Sequence, residues 1–268
     1  MPQPSRRGFS GEVAEHYARY RRGYPPRVLD GLVDAFGLTS TDVAIDLGCG
    51  TGQLTLPLSE RVGAVIGIDP EPDMLRLASE AAHQRSAHRI SWMLGFDTDL
   101  PALGALLAPR SVAAVTVATA IHWMDHRALF ANARSLLRDG GGIAIITNGA
   151  PLWLQDADWS RALRTVLQEW TGRDVGWACG TDEESRAGYR DELILAGYAV
   201  DERRIDYAAD LDLEHLIGGL FSAMSNDDVA DPRRRDDLAA RVRAGLAPAS
   251  AVEEHVSVVI QTGTARSG

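Results

Sequence analysis

Lysine is missing from the 268-residue sequence, so all 27 of its basic residues are arginine. That excludes a Schiff-base mechanism and a P-loop lysine on a nucleotide phosphate. Cysteine is nearly missing too. Cys49 and Cys179 make neither a disulfide framework nor a metal-binding spacing, and no metal site is expected. Positive charge is scarce: 27 cations against 37 anions leave a net charge of -10. That balance is wrong for neutralising nucleic-acid phosphates. The most basic stretch, "DPRRRDD", has acids on both sides and reads as a solvated helix start. No apolar run approaches the ~20 residues of a membrane span. The opening "MPQPSRRGFSGEV" lacks the apolar core of a signal peptide. These shortages predict a cytoplasmic protein with no nucleic-acid and no membrane partner.

What is present is an alternation. Short apolar runs, "DVAIDLG", "AVIGID", "RISWMLG", "SVAAVTVATA" and "GIAIIT", are separated by helical patterns, among them a helix through Glu60, "PEPDMLRLASEAAHQ" and "DHRALFANARSLLRDGG". Strand–helix alternation of this kind predicts an α/β fold with a doubly wound, mostly parallel sheet. After residue 149 the pattern changes. Trp153, Trp159, Trp170 and Trp177 cluster there, helices follow, and "EHVSVVIQTGTAR" is a last strand. The expected organisation is an N-terminal helical cap over 1–40 and a core over 41–268, with helical insertions near 150–180 and 211–248.

One stretch carries the chemistry. "VAIDLGCGTGQLT" places Gly48, Gly50 and Gly52 at every second position, directly after an apolar run ending in Asp46. Glycine gives up packing and costs backbone entropy, so such a turn serves special geometry or close approach by a ligand. A P-loop fails for want of lysine. A dinucleotide fingerprint needs a third glycine where Gln53 stands. A second acid, Asp69, ends the second strand, a placement that suits a ribose diol.

These residues resemble the class I S-adenosylmethionine-dependent methyltransferases over nearly the whole chain. "DLGCGTG" is similar to the family's first motif, "GIDPEPDMLRLA" to its second, and "LLRDGGGIAII" to its passage into the fifth strand. The resemblance implies a Rossmann-like sheet of seven strands with the last one reversed, and S-adenosyl-L-methionine as cofactor. A narrower resemblance is to the trans-aconitate-methyltransferase-like branch. Tyr17, Arg21, Tyr24 and Pro25 fit its opening motif, with Arg22 in place of a proline, and "ATAIHWMD" is similar to its A-x-A-x-H-W-x-D.

Carried over residue by residue, the resemblance implies a cofactor site. Asp46 binds the cofactor ammonium directly or through water, and Asp69 takes the ribose hydroxyls. Gly48, Cys49, Gly50 and Gly52 bring backbone against the cofactor. Phe96 and Asp97 lie at the adenine edge, and Pro70 and Ala118 fall beside these contacts. Three residues keep a second reading: Met74 packs on the adenine or fills core, and Tyr17 with Arg21 either closes over the cofactor or forms an ordinary surface helix. His122 either removes the acceptor proton or walls the pocket, whereas His126 is expected on a helix surface. Tyr24, Trp123, Trp153 and Phe221 are the expected acceptor residues, in a mostly apolar pocket for a small-molecule acceptor. The all-arginine composition is associated with GC-rich bacteria and hence with tailoring of secondary metabolites. Two alternatives stay open: a methyltransferase-like protein that binds the cofactor without transferring methyl, and a nicotinamide-dependent oxidoreductase.

Overall fold

The computed structural model describes residues 8–176 and 178–265; Trp177 lies outside them. Seven strands form one sheet: β1 (Val43–Leu47), β2 (Ala64–Asp69), β3 (Ile90–Leu94), β4 (Val112–Ala118), β5 (Leu137–Asn148), β6 (Tyr198–Asp212) and β7 (Ala251–Ala265). Their order is β3-β2-β1-β4-β5-β7-β6. The β1–β2, β2–β3, β1–β4 and β4–β5 pairs are parallel, and β7 runs antiparallel to β5. The fold is therefore the expected α/β, Rossmann-like sheet with its reversed last strand.

The chain divides into two compact units. One comprises Gly23–Gly149, Cys179–Asp206 and Ser257–Gly268. Its centre is β4, whose residues Val112 to Val117 are all buried, as a strand with neighbours on both sides and helices on both faces must be. On one face Ile143 and Ile145 pack with Ile121, Phe130, Tyr189 and Leu193. On the other, the helix Pro26–Phe36 turns Val28, Leu29, Leu32 and Phe36 inward. Phe36 lies against Gly142 so closely that a Cβ there would collide with the ring and with the Gly263 carbonyl.

Two elements are shorter than their sequence pattern. The helix expected through Glu60 is one turn, Thr55–Leu58. Ser59 ends it by donating its hydroxyl back to Leu56 O at 2.7 Å. The helix after β4 runs His126–Leu136 rather than through the glycines. Leu137 already pairs with Val112, and the β4–β5 register shifts between Val112 and Ala114.

The other unit comprises Met1–Arg22, Ala150–Ala178 and Tyr207–Val256. Its own core gathers Val13, Leu163, Leu167, Leu216, Leu220, Leu238 and Val242 from four helices, with Trp153, Trp159 and Trp170 packed at its margin. These three tryptophans are thus packing residues of that core. The helix Gly11–Tyr20 lies hard against Leu213–Phe221, because Gly218 leaves only backbone beneath the Tyr20 ring. No helix among the described residues is long and apolar enough to cross a membrane.

Candidate functional site

The strand order reverses between β1 and β4, which opens a crevice at their carboxyl ends where ligands of doubly wound sheets bind. Asp46, next to last on β1, is 1% exposed. Both its oxygens are engaged: Oδ2 accepts from the Thr55 hydroxyl at 2.5 Å, and Oδ1 from the Thr116 hydroxyl at 2.7 Å. Burial nevertheless pushes its carboxyl up to about 6, against the lowering effect of both hydroxyls.

The turn after β1 is built on three left-handed glycines, with φ of +64° at Gly48, +54° at Gly50 and +87° at Gly52. Side-chain-bearing residues reach that region only at a cost. Gly48 also lacks room, since a Cβ would lie 2.5 Å from that of Ala120. Between these glycines, Cys49 N donates to Ile68 O on β2 at 3.0 Å. Gly50 N donates to Asp69 Oδ2 at 2.9 Å, and the other oxygen, Oδ1, accepts from Glu71 N at 2.9 Å. The acid that ends β2 thus holds the glycine turn that follows β1. Asp69 is 8% exposed, and burial pushes its carboxyl up to about 6 despite the two backbone donors.

At the end of β3, Phe96 is exposed and its N–H donates to Asp99 Oδ2 at 2.8 Å. Asp97 is half-buried, and its carboxyl is raised chiefly by burial. Pro70 is exposed, while Met74 is buried in the helix Pro72–Gln84. At the end of β4, half-buried Ala118 leads into Thr119, which has φ +53°, and then into a short turn, Ile121–Trp123. His122 and Trp123 stand with ring centres 4.8 Å apart, tilted 45°. Burial, with a smaller contribution from His126, drops the His122 ring to about 4. His126 is not a surface residue. It is half-buried, with Nδ1 2.9 Å from Glu192 Oε2, Nε2 3.1 Å from Ile121 O, and the Tyr189 ring edge-on.

Five expected site residues are divided between the two units. Tyr24 is half-buried in the unit that holds the glycine turn. Tyr17, Arg21, Trp153 and Phe221 belong to the other unit. There Arg21 Nε donates to the Ser222 hydroxyl at 2.9 Å, and its guanidinium lies over the Tyr17 ring. Phe221 is buried in that unit's core, and Trp153 packs beside it.

Residues 44–141 match a family model described as a methyltransferase domain. That span begins on β1 and contains the glycine turn, Asp69, Asp97 and His122. An uncharacterized methyltransferase of Mycobacterium tuberculosis is 34% identical over 173 residues, covering 63% of this chain and 63% of the relative. A probable S-adenosylmethionine-dependent methyltransferase of Saccharomyces cerevisiae is 32% identical over 145 residues, covering 54% of this chain and 48% of that one. The chain spans less than two thirds of the length of these curated relatives. Among solved structures, a type II methyltransferase candidate from Anaeromyxobacter dehalogenans superposes with a TM-score of 0.62 at 20% identity, covering 91% of this chain and 98% of that one. The precorrin 8W decarboxylase of Methanobacterium thermoautotrophicum superposes with a TM-score of 0.52 at 16% identity, covering 91% and 94%. These two likenesses show the fold.

Three features of the structure carry little or no local sequence signal, two of them inside residues 44–141 and one, Gly180, outside them. Thr55 and Thr116 grip Asp46. A lone hydroxyl in the buried run "VAAVTVA" was the available signal for Thr116. Trp92 lies beneath the turn, its ring 3.2 Å from where a Gly52 Cβ would be. Gly180, with φ +69°, backs His122, because a Cβ there would lie 3.0 Å from the His122 Cβ and collide with the Tyr189 hydroxyl. Nothing near Gly180 in the sequence marks that role. No group of three or more His, Cys, Asp or Glu among the described residues is arranged to hold a metal ion.

Proposed function

We propose that the protein is an S-adenosylmethionine-dependent methyltransferase acting on a small organic acceptor. The observation that carries this reading is the joint between Asp69 and Gly50 at the reversal of strand order. It leaves a carboxylate with unused lone pairs beside a left-handed glycine turn. A ribose diol donates two hydroxyls, and each Asp69 oxygen has used one lone pair on a backbone N–H. The residues present therefore fit the cofactor.

The proposed roles are these. Asp69 holds the ribose, and the turn Gly48–Gly52, with Cys49 inside it, offers backbone to the rest of the cofactor. Asp46, with both oxygens taken by hydroxyls, reaches the ammonium through water or through the turn it braces. Phe96 and Asp97 flank the adenine beside Pro70 and Ala118. Met74, being buried, contributes from beneath. Bound S-adenosylmethionine supplies a methyl carbon already activated on a sulfonium, so alignment of the acceptor supplies much of the acceleration. At a value near 4 the His122 ring is neutral around pH 7 and a poor match for general-base work there. Its role is to orient the acceptor beside Trp123. Tyr24 is kept as an acceptor residue on its branch-like spacing.

The spacing of Tyr17, Arg21, Tyr24 and Pro25, with "ATAIHWMD", supports the trans-aconitate-methyltransferase-like branch. The lysine-free composition supports a bacterial enzyme of secondary metabolism. Calorimetry with S-adenosylhomocysteine and NAD tests the cofactor. Binding of NAD alone overturns the reading in favour of an oxidoreductase. S-adenosylmethionine binding with no transfer across a broad acceptor panel favours a non-transferring relative instead.

A further inference from the structure

The carboxyl end of β5 holds polar atoms that the fold does not use. Thr147 is 2% exposed, and its hydroxyl has no hydrogen-bond partner among the described residues. The Ser257 hydroxyl is buried in the same condition. Buried polar groups are nearly always paired, so two such atoms on neighbouring strands call for a reason.

Strand register places them together. The antiparallel β5–β7 ladder sets Thr147 opposite Val259, and Gly149 N donates to Ser257 O at 3.1 Å. Residues two apart on a strand share a face, so Thr147 and Ser257 lie diagonally on one face. That face is the one on which Ile143 and Ile145 pack with Ile121, the residue before His122. Next to β5, Thr119 N donates to Ile146 O at 2.8 Å and extends the β4–β5 pairing toward the His122 turn. The two hydroxyls thus stand at the same sheet end as His122, one and two strands farther from the glycine turn. With strands about 4.8 Å apart, Thr147 is roughly 10 Å from β1.

We propose that Thr147 and Ser257 are specificity-determining residues, the polar anchor of the acceptor, and that the acceptor carries a neutral hydroxyl, carbonyl or amide there. The proposal rests on the cofactor reading given above. Both hydroxyls are neutral and can donate or accept, which matches such a group on either side of the bond. A carboxylate set against them would be desolvated without a paired cation. An acceptor wholly apolar at this end would leave both hydroxyls buried and unpaired.

The test uses the full chain saturated with S-adenosylhomocysteine, with phenol, benzamide, benzoate and toluene as probes in ligand-observed NMR. Phenol and benzamide are expected to bind, with benzoate and toluene weaker by about fivefold or more. The Thr147→Val, Ser257→Ala double variant should weaken phenol and benzamide by about fivefold or more while S-adenosylhomocysteine affinity holds. Thr147→Val alone should melt at the same temperature as the parent or higher, because a methyl replaces an unpaired hydroxyl. No probe binding, equal binding of toluene or benzoate, or undiminished binding to the double variant overturns the proposal. So does a lower melting temperature for Thr147→Val, which would assign its hydroxyl to the fold. Failure of the parent protein to bind S-adenosylhomocysteine is a separate result, which overturns the cofactor reading on which the proposal stands.

Discussion

The Asp69 carboxylate accepts the Gly50 N–H at 2.9 Å, so the end of one strand fixes the turn that follows its neighbour. A single side chain both shapes the glycine turn and presents oxygen to the crevice. Asp69→Ala removes both effects. Loss of a charged hydrogen-bond acceptor costs about 1.5–3 kcal/mol, and S-adenosylhomocysteine affinity should fall roughly 10- to 150-fold by calorimetry. Unchanged affinity would remove Asp69 from the site.

The same carboxyl, pushed up to about 6, should make cofactor binding sensitive to acid if it holds the ribose as proposed. Ribose hydroxyls donate to the ionised form. Affinity should therefore hold above pH 7 and decline as pH falls through about 6. Calorimetry at pH 7.5, 6 and 5 reads the trend, and a flat profile would count against a hydroxyl–carboxylate contact.

His122→Asn should keep substantial methyl transfer, with a loss at or below about 10²-fold, the low end for a lost general base. Its sharper signature lies in stability. The His122 ring takes its proton near 4 in the folded chain against an ordinary 6.5. Its contribution is present above pH 6.5 and is lost progressively as pH falls to 4. Asp46 and Asp69 act in the opposite sense, each favouring the fold below pH 3.8 and ceasing to do so as pH rises through about 6. Between pH 7 and 4.5 the His122→Asn variant should therefore gain on the parent in urea midpoint. A constant gap would show that the ring titrates normally.

Thr116→Val leaves one oxygen of a buried carboxylate without its hydroxyl donor. The expected destabilisation is about 1.5–3 kcal/mol at neutral pH, read as a lower urea midpoint. The loss should shrink as pH falls below 6 and Asp46 takes up its proton. A loss independent of pH would mean that packing, and not the carboxylate, sets the cost.

Gly48→Ala meets two penalties, a left-handed φ of +64° and the Ala120 Cβ at 2.5 Å. Strain and overpacking each cost about 1–3 kcal/mol. The variant should melt well below the parent and bind S-adenosylhomocysteine weakly. A parent-like melting curve would show that the turn yields easily.

The sheet was legible in the sequence because its signals are local. Apolar runs, an acid at a strand end and glycines at every second position each announce themselves within a few residues. What escaped depends on contacts made across the chain. Thr116 and Asp46 are 70 positions apart, and only the folded sheet makes them neighbours. His126 has the look of a helix-surface residue because Glu192 and Tyr189 arrive from a distant helix. The compact unit formed by three separated segments follows the same rule. Its core joins residues as distant as Val13 and Val242; the tryptophan-rich change after residue 149 marks the start of one segment, but nothing in the composition joins it to the other two.

Gly142 carries a consequence for descent. Two obstacles stand where its side chain would be: the Phe36 ring and the Gly263 carbonyl. A smaller residue at 36 would remove the first. No replacement at 263 would remove the second, because a main-chain oxygen survives every substitution. Drift at 142 is therefore closed to stepwise compensation. A descendant with a larger residue there must have shifted its last strand, so this one position can sort relatives by the spacing of β5 and β7.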